Sequence, residues 1–400
     1  MTAPSFRDDL PRVRIKPKTD ARSVRHGFPW VYSNQLVLDR RTKKLPPGSL
    51  VVLEDEAHGP LGVAGFNASS RISIRMLDRD AGAEIDQAWF AARVRRALAL
   101  RERLYEAPFY RLIHAEGDGL PGVIVDRFED TLVLQPNAAW AEALLDMLVA
   151  ALAELPGVVN ILKNAEGRAR GLEGLDDIST VMLGAAPDAP VPVPMNGATY
   201  MADLTGGQKT GLFFDQRENH AFAARLARGA DVLDVFSHVG GFALAAMAAG
   251  ARSALAVDGS AAALELAGTG ATAAGLALET RRGDAFDTLN ALQGEGRDFD
   301  LVICDPPAFA PNKQALDAGL RAYERVARLA APLVRQGGTL VLCSCSHAAD
   351  LGRFHQACTR GIGRAGRQAS LIHTGFAGPD HPQHPMLAET GYLKALVFAL

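Results

Sequence analysis

The chain has 400 residues, 48% of them apolar, and a formal net charge of only −3; this describes a globular protein of two or three domains rather than a disordered or fibrous one. No apolar run reaches the ~20 residues that a membrane helix needs, and the N-terminus has no apolar signal core, so a cytoplasmic protein with no membrane partner is predicted. Cys304, Cys343, Cys345 and Cys358 all fall in the last quarter, which is no framework for a disulfide-stapled fold, and Cys343-x-Cys345 lacks His or Cys partners at finger-like distances, so no metal site is predicted.

The first fifty residues carry eleven Lys/Arg against four acids, a net of +7, so the remainder carries −10. A basic end on an acidic chain suggests a polyanionic partner, against the plainer reading of a solvated arm. Residues 1–80 hold short apolar runs, several with period-two alternation, between Gly, Pro, Asn and Asp, which predicts a small β-barrel or sandwich. A helix is predicted over 86–105. It opens a central α+β region, 81–190. There, strand, Gly-rich turn and strand (110–128) precede a strand at Thr131–Gln135, a helix at Ala138–Leu152 and a strand at Val158–Lys163. Leu183–Pro194, with four prolines, is the linker candidate.

From 191 to 400 strands alternate with helices. Val232–Phe236, Ala254–Val257, Leu301–Cys304 and Thr339–Cys343 are near-continuous apolar runs, as strands buried on both faces should be. The Ala-rich stretches Phe242–Ala249, Ala261–Ala274 and Leu316–Leu333 lie between them. The pattern predicts an α/β fold with a doubly wound parallel sheet, completed by Ser370–His373 and Tyr392–Leu400.

In such a sheet ligands bind beyond the carboxyl ends of the strands. Asp305-Pro-Pro-Ala-Phe309 and Cys343-Ser-Cys345-Ser stand at two of those ends and should face one crevice. Cys343 and Cys345 would share a strand face. Asp234-Val-Phe-Ser-His-Val-Gly240-Gly241 follows the first strand, and its glycines allow close backbone approach to a ligand. Asp258 ends the second strand, where an acid can hold ribose hydroxyls, and Asp284 follows a third. The dehydrogenase fingerprint G-x-G-x-x-G is absent. Acids at four successive strand ends resemble a class I S-adenosylmethionine-dependent methyltransferase with a Rossmann-like sheet. That resemblance implies S-adenosylmethionine as cofactor, held by Asp234, Phe236, Ser237, Gly240, Gly241, Asp258, Ser260, Asp284, Ala285 and Asp305.

Three motifs sharpen the resemblance: Asp-Pro-Pro-x-Phe, Ser-Cys-Ser at the fifth strand, and the segment from Gly207 to Asn219 (Gly-Gln-Lys-Thr-Gly-Leu-Phe-Phe-Asp-Gln-Arg-Glu-Asn). Together they look like the bacterial 23S rRNA large-subunit methyltransferase I family, which makes 5-methylcytosine. Arg25-His-Gly-Phe-Pro-Trp-Val-Tyr-Ser-Asn resembles that family's N-terminal PUA domain, and Gly117–Arg127 its central domain. The sequence departs from the family where His238-Val239 replaces Tyr-Thr and where His220 replaces Arg. The resemblance implies large-subunit ribosomal RNA as partner, met by Lys209, Arg217, Pro306, Phe309, Arg25 and Arg71. A homodimer is carried as one option for assembly. Carbon 5 of cytosine is a poor nucleophile until a thiolate adds to carbon 6. The resemblance therefore implies Cys345 as nucleophile, with Asp305 orienting the base. The rivals are an rRNA guanine-nitrogen methyltransferase, which needs no thiol, and a non-catalytic RNA-binding assembly factor with the same fold.

Overall fold

A computed structural model describes residue 7, residues 9–206 and residues 211–400 of the chain. The predicted RNA contact at Lys209 lies outside the described residues. The chain divides into two compact units, Met1–Ala186 with Asp380–Ala388, and Pro187–Pro379 with Glu389–Leu400. Among the described residues no helix is long and apolar enough to cross a membrane.

The first unit contains two five-stranded sheets. One runs in the order Arg12–Arg14, Ser49–Glu54, Pro60–Phe66, Ile74–Asp78, Trp30–Val31. An isolated bridge from Ile15 to Leu36 brings the chain after Trp30–Val31 back to the opposite edge and curls the sheet. Alternate residues Val51 and Leu53 point into a core with Val13, Ile15, Leu36, Phe66 and Ile74. The other sheet joins Phe109–His114, Val123–Phe128, Thr131–Pro136, Asn160–Lys163 and Thr180–Leu183 in chain order. Helix Gln87–Leu104, capped by Asp86, belongs to the same core through Phe90, Val94 and Leu98. The single helix expected over Ala138–Leu152 is two, Ala139–Ala143 and Leu145–Ala153. Leu144 leaves helical dihedrals (φ −112°, ψ 23°) with no Pro or Gly to announce it. Asp380 belongs here: its carbonyl accepts from buried Arg101 at 2.8 Å and its carboxylate from the Arg111 N–H at 3.1 Å.

The second unit is built on a seven-stranded sheet. Its strands are β1 Asp231–Val235, β2 Ser253–Asp258, β3 Glu279–Arg282, β4 Phe299–Cys304, β5 Val334–Ser344, β6 Ser370–Gly375 and β7 Lys394–Ala399, in the order β3-β2-β1-β4-β5-β7-β6. The five leading strands are parallel, but β7 runs antiparallel to both β5 and β6. The doubly wound sheet expected from the apolar runs is present, and its parallel order is broken only by β7. Between β6 and β7 there is only a short 3₁₀ turn at Ala388–Thr390, and a parallel return would need a full crossover element. Helices cover both faces. Leu233, Val302, Leu340 and Phe398 face one core, and Val232, Ile303, Val341 and Val397 face the other.

Candidate active site at the strand ends

Register brings the carboxyl ends of the central strands level. Val235 pairs with both Val257 and Cys304, and Cys304 pairs with Leu342. The Asp305 N–H donates to the Val235 carbonyl at 3.1 Å, which ties the loop after β4 to the end of β1.

Asp234 is fully buried within β1. Its Oδ2 accepts from the Ala243 N–H at 2.9 Å, in the first turn of helix Gly241–Ala248. Burial, reinforced by nearby Asp258, pushes its carboxyl up to about 7. Its Oδ1 and the Oγ of buried Ser237 have no hydrogen-bond partner among the described residues. Phe236 and His238 adopt positive φ (64° and 49°), a conformation that non-glycine residues rarely take, and such strain concentrates at ligand sites. The two glycines serve packing as well as approach. Gly240 has φ +81°, and a Cβ on Gly241 would lie 2.7 Å from the His220 ring. His220 is buried, 4.4 Å from the Phe242 ring, and burial pushes it down to about 3. It is thereby kept neutral at physiological pH.

The next acids double as caps. Asp258 accepts from the His238 N–H (2.9 Å) through Oδ2 and from the Ser260 N–H (2.8 Å) through Oδ1. It thereby binds the β1 loop to the β2 loop. Ser260 caps helix Ala261–Ala273. Asp284 caps helix Ala285–Gly294, with both N–H donors on Oδ1; Ala285 is buried.

Of the loop after β4, Pro307 and Ala308 are exposed while Pro306 is buried. Phe309, predicted to meet RNA, packs in an aromatic cluster with Tyr323 (5.0 Å), Phe286 (6.2 Å) and Phe236 (6.3 Å). Such rings fix the loop by area and edge contacts. Across from it, β5 stops at Ser344. Cys345 is half-buried just beyond, with Sγ 4.0 Å from the Pro306 carbonyl. Cys343 faces the core with Val341 and Val397, where burial and the Asp305 charge push its thiol well up. Cys304 and Cys358 are buried and likewise shifted up.

Residues that the sequence did not single out complete this end. Tyr323 Oη lies 2.9 Å from Ser344 Oγ and 2.8 Å from Ser346 Oγ. Ser346 Oγ accepts from the Ala310 N–H at 2.9 Å. The serines flanking Cys345 are thus fastened to the helix Leu316–Ala330 and to the loop after β4. Lys394, at the start of β7, is buried and donates to the carbonyls of Ser346 and Ala349. Its only sequence signal was a charge inside an apolar run.

The predicted RNA residues are dispersed. Arg217 is buried, 5.4 Å from the Phe214 ring. Its carbonyl accepts from the Asn196 amide at 2.9 Å. In the first unit, Arg25 is paired with Asp55, Arg71 is exposed, and Trp30 donates to Glu116 at 2.8 Å.

A family model described as an S-adenosylmethionine-dependent methyltransferase matches residues 176–399, and a PUA-like domain matches residues 13–79. The chain is 35% identical over 393 residues to the ribosomal RNA large subunit methyltransferase I of Shewanella denitrificans, covering 96% of this chain and 98% of that protein. It is 34% identical to the protein of the same name from Aliivibrio fischeri, covering 93% and 95%. A candidate S-adenosylmethionine-dependent methyltransferase from Streptococcus mutans superimposes with a TM-score of 0.82 at 18% identity, over 98% of this chain and 100% of that one. Another candidate methyltransferase, solved with SAH bound, superimposes at 0.83 with 19% identity over the same shares.

Proposed function

The chain belongs to the ribosomal RNA large subunit methyltransferase I family of S-adenosylmethionine-dependent enzymes, and we propose that it forms 5-methylcytosine in large-subunit ribosomal RNA through a covalent adduct on Cys345. The observation that carries this reading is the contrast among the four cysteines: three are buried, and the half-buried one stands against the Asp-Pro-Pro loop.

The residues present fit the cofactor. Asp234 Oδ1 and Ser237 Oγ are buried acceptors with no protein partner among the described residues, and such atoms are costly unless a ligand satisfies them. Asp258 and Asp284 stand at the next strand ends for hydroxyl and amine donors. S-adenosylmethionine, when bound, supplies an electrophilic methyl group on a sulfonium. The chain's own residues make the acceptor. The Cys345 thiolate forms a bond to carbon 6 and breaks the 5,6 double bond, so that electron density moves to carbon 5. Asp305 accepts hydrogen bonds from the polar edge of the cytosine and favours a proton on its ring nitrogen as the adduct forms. Once carbon 5 carries the methyl group, a base removes its proton, the Cys345–carbon 6 bond breaks, and the thiolate leaves. Carbon 6 is unreachable inside a stacked helix, so a flipped or single-stranded cytosine is required. In the PUA-like domain, Arg71 is exposed for phosphate contact on the loop between Pro60–Phe66 and Ile74–Asp78.

A guanine-nitrogen acceptor needs no thiol, and the fastening of both serines around Cys345 favours the cytosine reading. Bisulfite mapping of ribosomal RNA from cells lacking the protein, complemented with wild type or Cys345→Ala, tests it. One cytosine should lose protection without the protein and regain it only with wild type; protection restored by Cys345→Ala would exclude the adduct.

A further inference from the structure

Lys394 lies directly across from Ser344 in the antiparallel register of β5 and β7, in a strand that is otherwise apolar. It is 4% exposed. Its Nζ donates to the Ser346 carbonyl at 2.7 Å and to the Ala349 carbonyl at 2.8 Å. These carbonyls bracket the turn that follows Cys345, which the Ala349 N–H closes onto the Ser346 carbonyl at 3.3 Å. An ammonium has three N–H donors. Two hold this turn, and among the described residues no acceptor takes the third.

Burying an ammonium costs several kcal/mol unless an anion balances it. Neutral carbonyls orient Lys394 but do not neutralise it, and a methionine would fill the same space in the strand without that cost. Two anionic groups lie near enough to balance it: the Cys345 thiolate and, more weakly, the exposed carboxylate of Asp350, which caps the next helix. Burial lowers Lys394, and Cys345 and then Asp350 partly restore it, leaving it at about 8, so that the ammonium predominates at neutral pH. Other groups facing the pair oppose the thiolate or stand outside it. The hydroxyl of Tyr323 is pushed up by burial and by Cys345. Asp305 repels a thiolate at neighbouring Cys343. His347 is exposed on the same turn.

We infer that Lys394 is a positioning residue for Cys345: its ammonium fixes the turn that carries the thiol and sets a positive charge beside the sulfur, which enlarges the thiolate fraction at neutral pH. The role rests on that of Cys345 as nucleophile. Turn geometry and charge come from one side chain, so Lys394→Arg preserves the charge and Lys394→Met removes it at similar volume.

The test is the pH profile of Cys345 alkylation by iodoacetamide in the full chain, followed by mass spectrometry of the Cys345 peptide. In Lys394→Met the midpoint should rise by about one pH unit and the rate at pH 7 should fall about tenfold, while Lys394→Arg stays within about 0.3 unit of wild type. A folded Lys394→Met protein with an unchanged midpoint overturns the role. Should Lys394→Met fail to fold, wild type decides: a midpoint clearly below the ordinary thiol value of about 8.5 supports it, and one at or above that value overturns it. Alkylation needs neither RNA nor methyl transfer. Methylation by Cys345→Ala would therefore remove the proposed function by a separate route, and an unshifted midpoint beside an inactive Cys345→Ala would remove Lys394 alone.

Discussion

At the end of β1, Asp234 Oδ1 and Ser237 Oγ are buried with no partner among the described residues, whereas at the end of β5 the hydroxyls of Ser344, Tyr323 and Ser346 form a closed chain ending on the Ala310 N–H. One half of the site is left for a ligand to complete; the protein completes the other. The division matches the proposed chemistry. A cofactor that binds and leaves each turnover needs acceptors that are costly without it. A nucleophile must hold one geometry throughout, and fixed partners supply that.

The largest effect should come from the thiol itself. Cys345→Ala should lower methylation by at least about a thousandfold, as loss of a covalent nucleophile does, and should abolish the covalent trap with 5-fluorocytosine RNA. Cofactor affinity, measured by calorimetry, should stay near wild type. A parallel loss of both would mean that the two strand ends form one unit rather than two.

Next is Asp234. Its folded carboxyl is raised from 3.8 to about 7 by burial. The neutral form is therefore the one that suits the folded state: its contribution is present below about pH 4 and is lost as pH rises through about 7, a loss on the order of 4 kcal/mol. Without ligand, denaturant midpoints should fall between pH 4.5 and 8 in wild type, and Asp234→Asn should flatten that slope. With S-adenosylmethionine, a cation, affinity should increase as Asp234 ionises through pH 7. Asp234→Asn should bind about 10- to 100-fold more weakly at pH 8, the worth of one charge-assisted hydrogen bond. Wild-type affinity independent of pH would show that Asp234 Oδ1 does not meet the cofactor.

How far these halves could be read in advance differs in the same way. The strands and acids of β1, β2 and β4 are local: apolar runs that end in a carboxylate. The antiparallel β7 was not local, because the direction of a last strand depends on what connects it. Cys343 and Cys345 share a face only while the strand continues, and β5 ends between them at Ser344. Tyr323 and Lys394 reach the Cys345 turn from 21 to 48 residues away in sequence, and no spacing rule joins them. Arg217 enters only through the family segment, and its burial beside the Phe214 ring is a tertiary fact that no local signal carries.

Tyr323→Phe tests whether the closed half depends on its hydrogen bonds. The ring would still pack on Phe309 and Phe354, but the hydroxyls of Ser344 and Ser346 would lose their shared partner in a buried place. A loss of about 2–3 kcal/mol in stability is expected, with kcat lowered more than KM is raised. Activity equal to wild type would show that the aromatic cluster alone holds Cys345.

Cys343→Ala should have the smallest effect, and it bears most directly on which thiol acts. Cys343 is 1% exposed among Val341, Val397 and Ala395, and burial keeps its thiol protonated at neutral pH. A neutral buried thiol behaves as a small hydrophobe, and removing one sulfur leaves a small void that costs about 1–2 kcal/mol. Thermal denaturation should show that loss, while methylation per folded molecule and the yield of trapped adduct stay within about twofold of wild type, the range expected of a change away from the reacting atoms. An inactive Cys343→Ala beside an active Cys345→Ala would exchange the two thiols. That exchange would require the strand to open beyond Leu342, since no RNA base reaches a side chain packed between Val341 and Val397; loss of amide protection along β5 on RNA binding would then have to accompany it.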